Sequence, residues 1–203
     1  INDVSGIGKP AKTGSLVTAF CNSFFEKIET PIVGVSAAKG GSRLNRWLPG
    51  AAAGYFQDAV SRYLEAESYL LNNGFQIKES MIVWTQGESD GDAATCRESY
   101  IQMFELMWEA FKKETKLPVL FMIKTGECNI EGSFDRYREV QEAQEEICRR
   151  NADVIMCSRA FAGMREKGLM KDAFHYYQQG YNVCGADAGA FVADVLKKCC
   201  NRF

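Results

Sequence analysis

The sequence predicts an α/β protein, a three-layer, doubly wound parallel sheet with helices on both faces. Segments of helical period alternate with short apolar runs in the order αβαβαβαβα. The apolar runs are nearly unbroken, as in strands buried on both faces, whereas a half-solvated sheet would alternate apolar and polar residues. Connections are short, and no repeat, low-complexity tract or linker interrupts the pattern, so residues 1–203 read as a single domain.

Residues 15–29 form the first predicted helix, with Leu16, Phe20, Phe24 and Ile28 along one face. Pro31 to Ala37 follows as a buried strand. Residues 52–73 are helical and stop at Asn72-Asn73-Gly74. Ser80 to Thr85 is strand-like. The clearest period in the chain comes next, where Tyr100, Met103, Phe104, Met107, Trp108 and Phe111 line one side of a helix. That stripe is a core-packing face. Pro118 to Ile123 is the third strand, 133–150 a helix, and Asp153 to Cys157 the fourth strand. A final helix over about 178–199 carries Val192, Val195, Leu196 and Cys199 on one side. A doubly wound sheet normally opens on a central strand, yet this pattern opens on a helix. The expectation is that the first strand lies upstream of Ile1, or is unrecognisable within the Gly-, Lys- and Thr-rich residues before the helix.

Composition narrows the function classes. Hydrophobic residues make up 46% and charged residues 25% of the chain, as in a folded globular protein, and the net charge of −2 offers no basic footprint for nucleic acid. No apolar run reaches the roughly 20 residues that a membrane-spanning helix needs, and there is no signal-peptide pattern at the start. The eight cysteines form no Cys-x-x-Cys pair, and one histidine is too few for a His-assisted zinc site. They read as free, small, buried hydrophobes, which leans towards a reducing, cytoplasmic compartment while leaving secretion open. Gly6-Ile7-Gly8-Lys9 lacks the spacing of a phosphate loop and any clear preceding strand. No cofactor is called for.

Ligands of such sheets bind outside the carboxyl ends of the strands. Those ends are followed here by Lys39-Gly40-Gly41-Ser42, by Gln86-Gly87-Glu88-Ser89-Asp90, by Thr125-Gly126-Glu127, and by a longer segment ending in Asp172-Ala173-Phe174-His175. An aspartate that holds one imidazole nitrogen leaves the other free to take a proton from a hydroxyl, so Asp172 and His175 could be the acid and base of a Ser-His-Asp triad. A surface pair or a helix-start cap would explain the same motif. Gly40 and Gly41 would let backbone N–H groups approach a developing oxyanion, or form an ordinary turn. Gln86 could add a side-chain amide to the same oxygen. Glu88, Asp90 and Asp92 could alternatively serve a carboxylate-dependent or metal-assisted hydrolase, or be a solvated acidic loop.

In order along the chain, these segments resemble the carbohydrate-esterase branch of the SGNH hydrolases, the sialate O-acetylesterase and acetylxylan esterase group. The resemblance rests on Pro31–Ser42 followed by Trp47 and Pro49, and most strongly on Val83-Trp84-Thr85-Gln86-Gly87-Glu88-Ser89-Asp90. Tyr137-Arg138-Glu139-Val140-Gln141 and Asp172-Ala173-Phe174-His175 with Gly180-Tyr181 complete it. It implies an SGNH, flavodoxin-like fold and a metal-independent deacetylation of sugars. By the same resemblance Asp172 and His175 are acid and base, and Gly40, Gly41 and Gln86 contribute to the oxyanion hole. Glu88 and Arg138 are then site support. The group's nucleophile sits in a Gly-x-Ser-Asn motif after the first strand, and no such motif occurs in this sequence. Ser5, Ser15, Ser36, Ser42 and Ser89 do not stand where the group places it. The expectation is therefore that the nucleophile lies before Ile1 or on a separate segment. The competing readings are a non-catalytic carbohydrate-binding relative and a hydrolase built on Glu88 and Asp90. The acetylated sugar, sialic acid or xylan type, is left open.

Overall fold

The computed structural model describes residues 14–200, with side chains as far as Lys198, so Ser5, the Gly6–Lys9 segment and the Cys199 side chain lie outside the described residues. Helix α1 (Val17–Ile28) comes first, then a 3₁₀ turn (Leu44–Trp47) and α2 (Tyr55–Asn72). Strand β1 (Ile82–Trp84), the short helix α3 (Glu88–Asp92), α4 (Arg97–Thr115) and β2 (Leu120–Ile123) follow. The chain ends with α5 (Arg138–Arg150), β3 (Val154–Ser158) and α6 (Gln178–Cys200).

The three strands form one parallel sheet in the order β1-β2-β3, with Val83 opposite Phe121 and Met122 opposite Met156. All four residues of β2 are fully enclosed, which is why its sequence is an unbroken apolar run. Successive side chains divide between two cores. Leu120, Met122, Val154 and Met156 point to one, where they meet Phe104, Trp108, Val140 and Ile147 of α4 and α5. Phe121, Ile123 and Cys157 point to the other, against Phe20 and Phe24 of α1 and Cys184, Ala188 and Val192 of α6. Helices on both faces of a parallel sheet make the predicted three-layer α/β arrangement.

Helices α1 and α6 pack closely because Gly185 and Gly189, four residues apart, present bare backbone to α1. A Cβ at Gly185 would collide with the Leu16 carbonyl, and one at Gly189 with that of Phe20. Burial of Phe20 and Phe24 follows from this close approach.

One predicted element is absent. Pro31–Ala37, expected to be a strand buried on both faces, runs as an irregular segment with no strand partner among the described residues. Val33 is 60% exposed and Val35 41%, and Val83 on the outer edge of β1 is 36% exposed. An apolar run becomes a buried strand only when a neighbour accepts its backbone hydrogen bonds. Neither this segment nor the outer edge of β1 meets one among the described residues. Smaller adjustments occur at ends: α5 begins at Arg138 after turns over 134–137, and the acidic loop after β1 is a single helical turn.

The six described cysteines are unpaired; Cys128, Cys157 and Cys184 are buried and Cys96 is exposed. Among the described residues no helix is long and apolar enough to cross a membrane.

Candidate active site

Asp172 and His175 are brought together by a local turn. The Asp172 Oδ1 accepts the backbone N–H of Phe174 at 2.9 Å and of His175 at 2.8 Å. This is a side-chain-to-backbone turn of the kind aspartate favours. It brings the imidazole back over the carboxylate, with Nδ1 3.0 Å from each Asp172 oxygen. Burial pushes the Asp172 carboxyl up, but the two backbone N–H groups and the His175 ring outweigh it and hold the acid below the usual carboxylate range. An ionised Asp172 fixes the proton on Nδ1, leaving Nε2 as the basic nitrogen. The imidazole is 66% exposed, so Nε2 is open to a reactant.

The segment carrying the pair is anchored from both ends. The Lys171 N–H donates to the His175 carbonyl at 2.7 Å, next to an antiparallel bridge between Met170 and Tyr176. The Tyr176 ring stacks on Phe161 at 4.2 Å and meets Tyr181 edge-on at 5.5 Å. From the other side, the loop after β2 is pressed against the same segment. The Asn129 N–H donates to the Ala173 carbonyl at 3.0 Å, and a Cβ at Gly126 would collide with the Tyr176 hydroxyl.

Glu88 opens α3 and is half-buried near His175. Burial pushes its carboxyl up, with local backbone N–H groups and the His175 ring offsetting only part of the rise. Glu88 therefore lies within electrostatic reach of the imidazole.

Gly40 and Gly41 form an exposed turn, Gly41 has φ of 68°, and a Cβ on either would meet nothing within 4 Å. The left-handed backbone at Gly41 is the reason for glycine there. Gln86 stands differently from the expectation. Its Nε2 donates to the Ser42 carbonyl at 3.0 Å and to Asp90 Oδ2 at 2.6 Å, while its Oε1 accepts the Tyr100 hydroxyl at 3.0 Å. Both amide hydrogens are committed inward, so this side chain braces the Gly40–Ser42 turn and has no hydrogen left for an oxyanion. Arg138 pairs with Asp135 at 3.5 Å on the surface, both side chains more than 60% exposed. It makes no described contact with Asp172 or His175.

Asp90 is fully buried. Its carboxylate accepts the Leu44 N–H at 2.8 Å, the Gln86 amide and the Thr95 hydroxyl at 3.1 Å, with Arg43 Nε 3.9 Å away. These bonds tie the 3₁₀ turn to α3 and leave the carboxylate no open face. Ser42 is likewise buried, its Oγ accepting the Trp47 indole N–H at 2.9 Å. Among the described residues no serine hydroxyl is hydrogen-bonded to His175.

Sequence reasoning missed the polar network beneath the site. The Gln144 side chain accepts the Thr125 N–H at 2.9 Å and donates to the Gln86 carbonyl at 2.8 Å. The Thr125 hydroxyl donates to that same carbonyl at 3.1 Å, and the single Tyr100 O–H is shared between it, at 3.1 Å, and the Gln86 Oε1. Gln141 donates to the carbonyls of Thr125 at 3.1 Å and Gly126 at 2.7 Å. Gln141 and Gln144 lie i, i+3 on one face of α5, a spacing that could have flagged them. Among the described residues no three His, Cys, Asp or Glu side chains converge as a metal site would require.

Comparison with known proteins bears on the fold and the family. No curated protein matches the chain. A solved structure of a protein from Arabidopsis thaliana superposes with a TM-score of 0.71 at 24% identity, covering 95% of this chain and 73% of that one. That likeness concerns the fold. The family model described as carbohydrate esterase, sialic acid-specific acetylesterase, matches residues 5–192. An α/β sheet with an aspartate–histidine pair at its carboxyl edge, matched over nearly its whole length, places the chain in this carbohydrate esterase family.

Proposed function

We propose that the chain is the acid–base portion of a serine-type acetylesterase acting on acetylated sugars. The geometry of Asp172 and His175 carries this reading: a carboxylate held ionised by three N–H donors, an imidazole oriented by it, and an exposed Nε2. His175 takes the proton of a serine hydroxyl as that oxygen attacks the acetyl carbonyl, and Asp172 stabilises the imidazolium. The N–H groups of the Gly40–Gly41 turn hold the oxyanion. His175 then returns the proton to the departing sugar oxygen. A water molecule, activated by the same imidazole, releases acetate and restores the serine.

The nucleophile belongs, on this reading, to a strand that pairs with the outer edge of β1. That edge and the exposed valines of 31–37 offer backbone hydrogen bonds and apolar surface to one more parallel strand. A Gly-x-Ser-Asn turn at the carboxyl end of such a strand would emerge beside the Gly40–Gly41 turn, on the edge that carries His175. The family description favours sialic acid over xylan as the acetylated sugar.

A hydrolase using Glu88 and Asp90 as paired carboxylates is disfavoured, because Asp90 is enclosed and already engaged by Leu44, Gln86 and Thr95. The test is hydrolysis of an aryl acetate by protein that includes the serine-bearing strand, compared with its His175→Ala variant. The expected loss is about 10²- to 10⁴-fold in kcat. Equal rates would refute the assignment.

A further inference from the structure

Gly40 and Gly41 stand in open space, since a Cβ on either would meet nothing within 4 Å. No close packing fixes the turn, so its position depends on what holds its two ends. At the first end Lys39 pairs with Asp58 at 2.8 Å, and Arg62 reaches the Ser36 carbonyl at 3.4 Å. The Asp58 side chain is 36% exposed, and solvent screens such a pair. The second end is built differently.

There one oxygen gathers the chain. Asp90 Oδ2 accepts the Leu44 N–H at 2.8 Å and the Gln86 amide at 2.6 Å, and the same amide nitrogen donates to the Ser42 carbonyl at 3.0 Å. Residues 42 and 44, just after the turn, are thus tied to one carboxylate, the first through Gln86 and the second directly. Asp90 is wholly enclosed, so water does not compete for these bonds. It is itself held by Thr95, whose hydroxyl donates to Oδ1 at 3.1 Å and whose N–H donates to the Asp90 carbonyl at 2.9 Å. Arg43 in turn donates to the Thr95 hydroxyl at 3.2 Å.

We propose that Asp90 is the positioning residue of the Gly40–Gly41 turn: it sets where the turn's N–H groups meet the oxyanion, although it touches no reacting atom itself. The oxyanion rests on the esterase reading above; the hold on the turn rests on the bonds of Asp90. A misplacement of about 1 Å in a catalytic group costs about 10²-fold in rate. That cost falls on kcat and leaves KM, because the oxyanion forms only on the way to the tetrahedral intermediate.

Two readouts test this on protein that includes the serine-bearing strand: aryl acetate kinetics per titrated active site, and NMR order parameters of the Gly40 and Gly41 amides. Asp90→Ala removes all the side-chain bonds of Asp90. It should lower kcat about 10²-fold at nearly constant KM and loosen both amides. Gln86→Met cuts the link to Ser42 and spares the Leu44 bond; it should do the same to a lesser degree, and it decides the matter if Asp90→Ala does not fold. Asp90→Asn can still offer an oxygen to Leu44 and Gln86, with its amide facing the Thr95 hydroxyl, and should retain most of the activity. A merely structural role would lower the urea midpoint and leave kcat per active site and the glycine amides as in the wild type. Unchanged amides in Asp90→Ala and Gln86→Met, loosened amides with unchanged kcat, or Asp90→Asn as damaging as Asp90→Ala would each overturn the proposal. The His175→Ala comparison judges the esterase reading alone; should that reading fail, the amides still decide whether Asp90 holds the turn.

Discussion

Asp172 performs two tasks with one carboxylate: it closes the turn that delivers His175, and it sets the imidazole tautomer. Asp172→Asn separates them. Asparagine's side-chain oxygen can still accept the Phe174 and His175 N–H groups, but its amide N–H can face Nδ1 and leave the proton on Nε2. The expected result is a folded protein whose kcat for aryl acetate falls by about 10²-fold or more. Asp172→Ala should lose the turn as well, with added local mobility seen by NMR at residues 172–175. A different residue tests the packing behind the pair. At Gly126 a Cβ would strike the Tyr176 hydroxyl and crowd the Phe161 carbonyl. Gly126→Ala should therefore destabilise by about 1–3 kcal/mol, the usual cost of overpacking, and lower kcat by moving the segment that holds His175. Chemical denaturation and the aryl acetate assay measure the two effects.

Elements transmit the site's geometry through α5, whose polar face grips the carboxyl ends of β1 and β2 by Gln141 and Gln144. On its outer side Glu145 receives two hydrogen bonds from Arg159, at 2.8 and 2.6 Å, and one from Lys124 at 3.0 Å. The Arg159 guanidinium, and behind it the Lys124 ammonium, hold the Glu145 carboxyl down at about 2. A depressed acid contributes stability above its unfolded value of about 4.3 and loses it as pH falls through the folded value. Glu145 is 37% exposed, so screening keeps the contribution below about 1 kcal/mol. Glu145→Gln should lower the urea midpoint at neutral pH, and the deficit should shrink as pH falls from about 4 towards 2. A deficit that stays constant with pH would show that the charge is not its source. The same scale shows what sequence can and cannot say. The α4 stripe from Tyr100 to Phe111 was legible because periodicity reports burial directly. Asp172 and His175 were legible because their geometry is local, three residues apart. The partners of Gln86 were not legible, because they come from the segment before the 3₁₀ turn, from α3 and from α4, and no spacing in one segment reports that convergence. Pro31–Ala37 was misread for a related reason: an apolar run signals a wish for burial, and the partner that satisfies it is not local.

At the scale of the whole molecule, the two faces of the sheet are covered, but among the described residues the outer edge of β1 is not. Val83 of the edge strand β1 is exposed, as are Val33 and Val35 of the irregular segment 31–37. An uncovered parallel edge with apolar side chains invites pairing with any extended chain. A chain in which that edge stays uncovered should therefore be marginally stable and prone to associate, which analytical ultracentrifugation would detect as concentration-dependent growth. A peptide with a short apolar strand ending in Gly-x-Ser-Asn, added in trans, should bind that edge and raise the midpoint of thermal unfolding with its concentration. The added stability should be near the value for a one-site ligand, about 2.7 kcal/mol at a hundredfold excess over its Kd. Because that strand brings the serine to His175, the same addition should switch on aryl acetate hydrolysis. Replacing the peptide's serine by alanine should abolish the hydrolysis while leaving the stabilisation in place. Stabilisation without hydrolysis by the serine peptide would mean that the edge takes a strand for structure alone. Neither effect would mean that the nucleophile reaches His175 by another route.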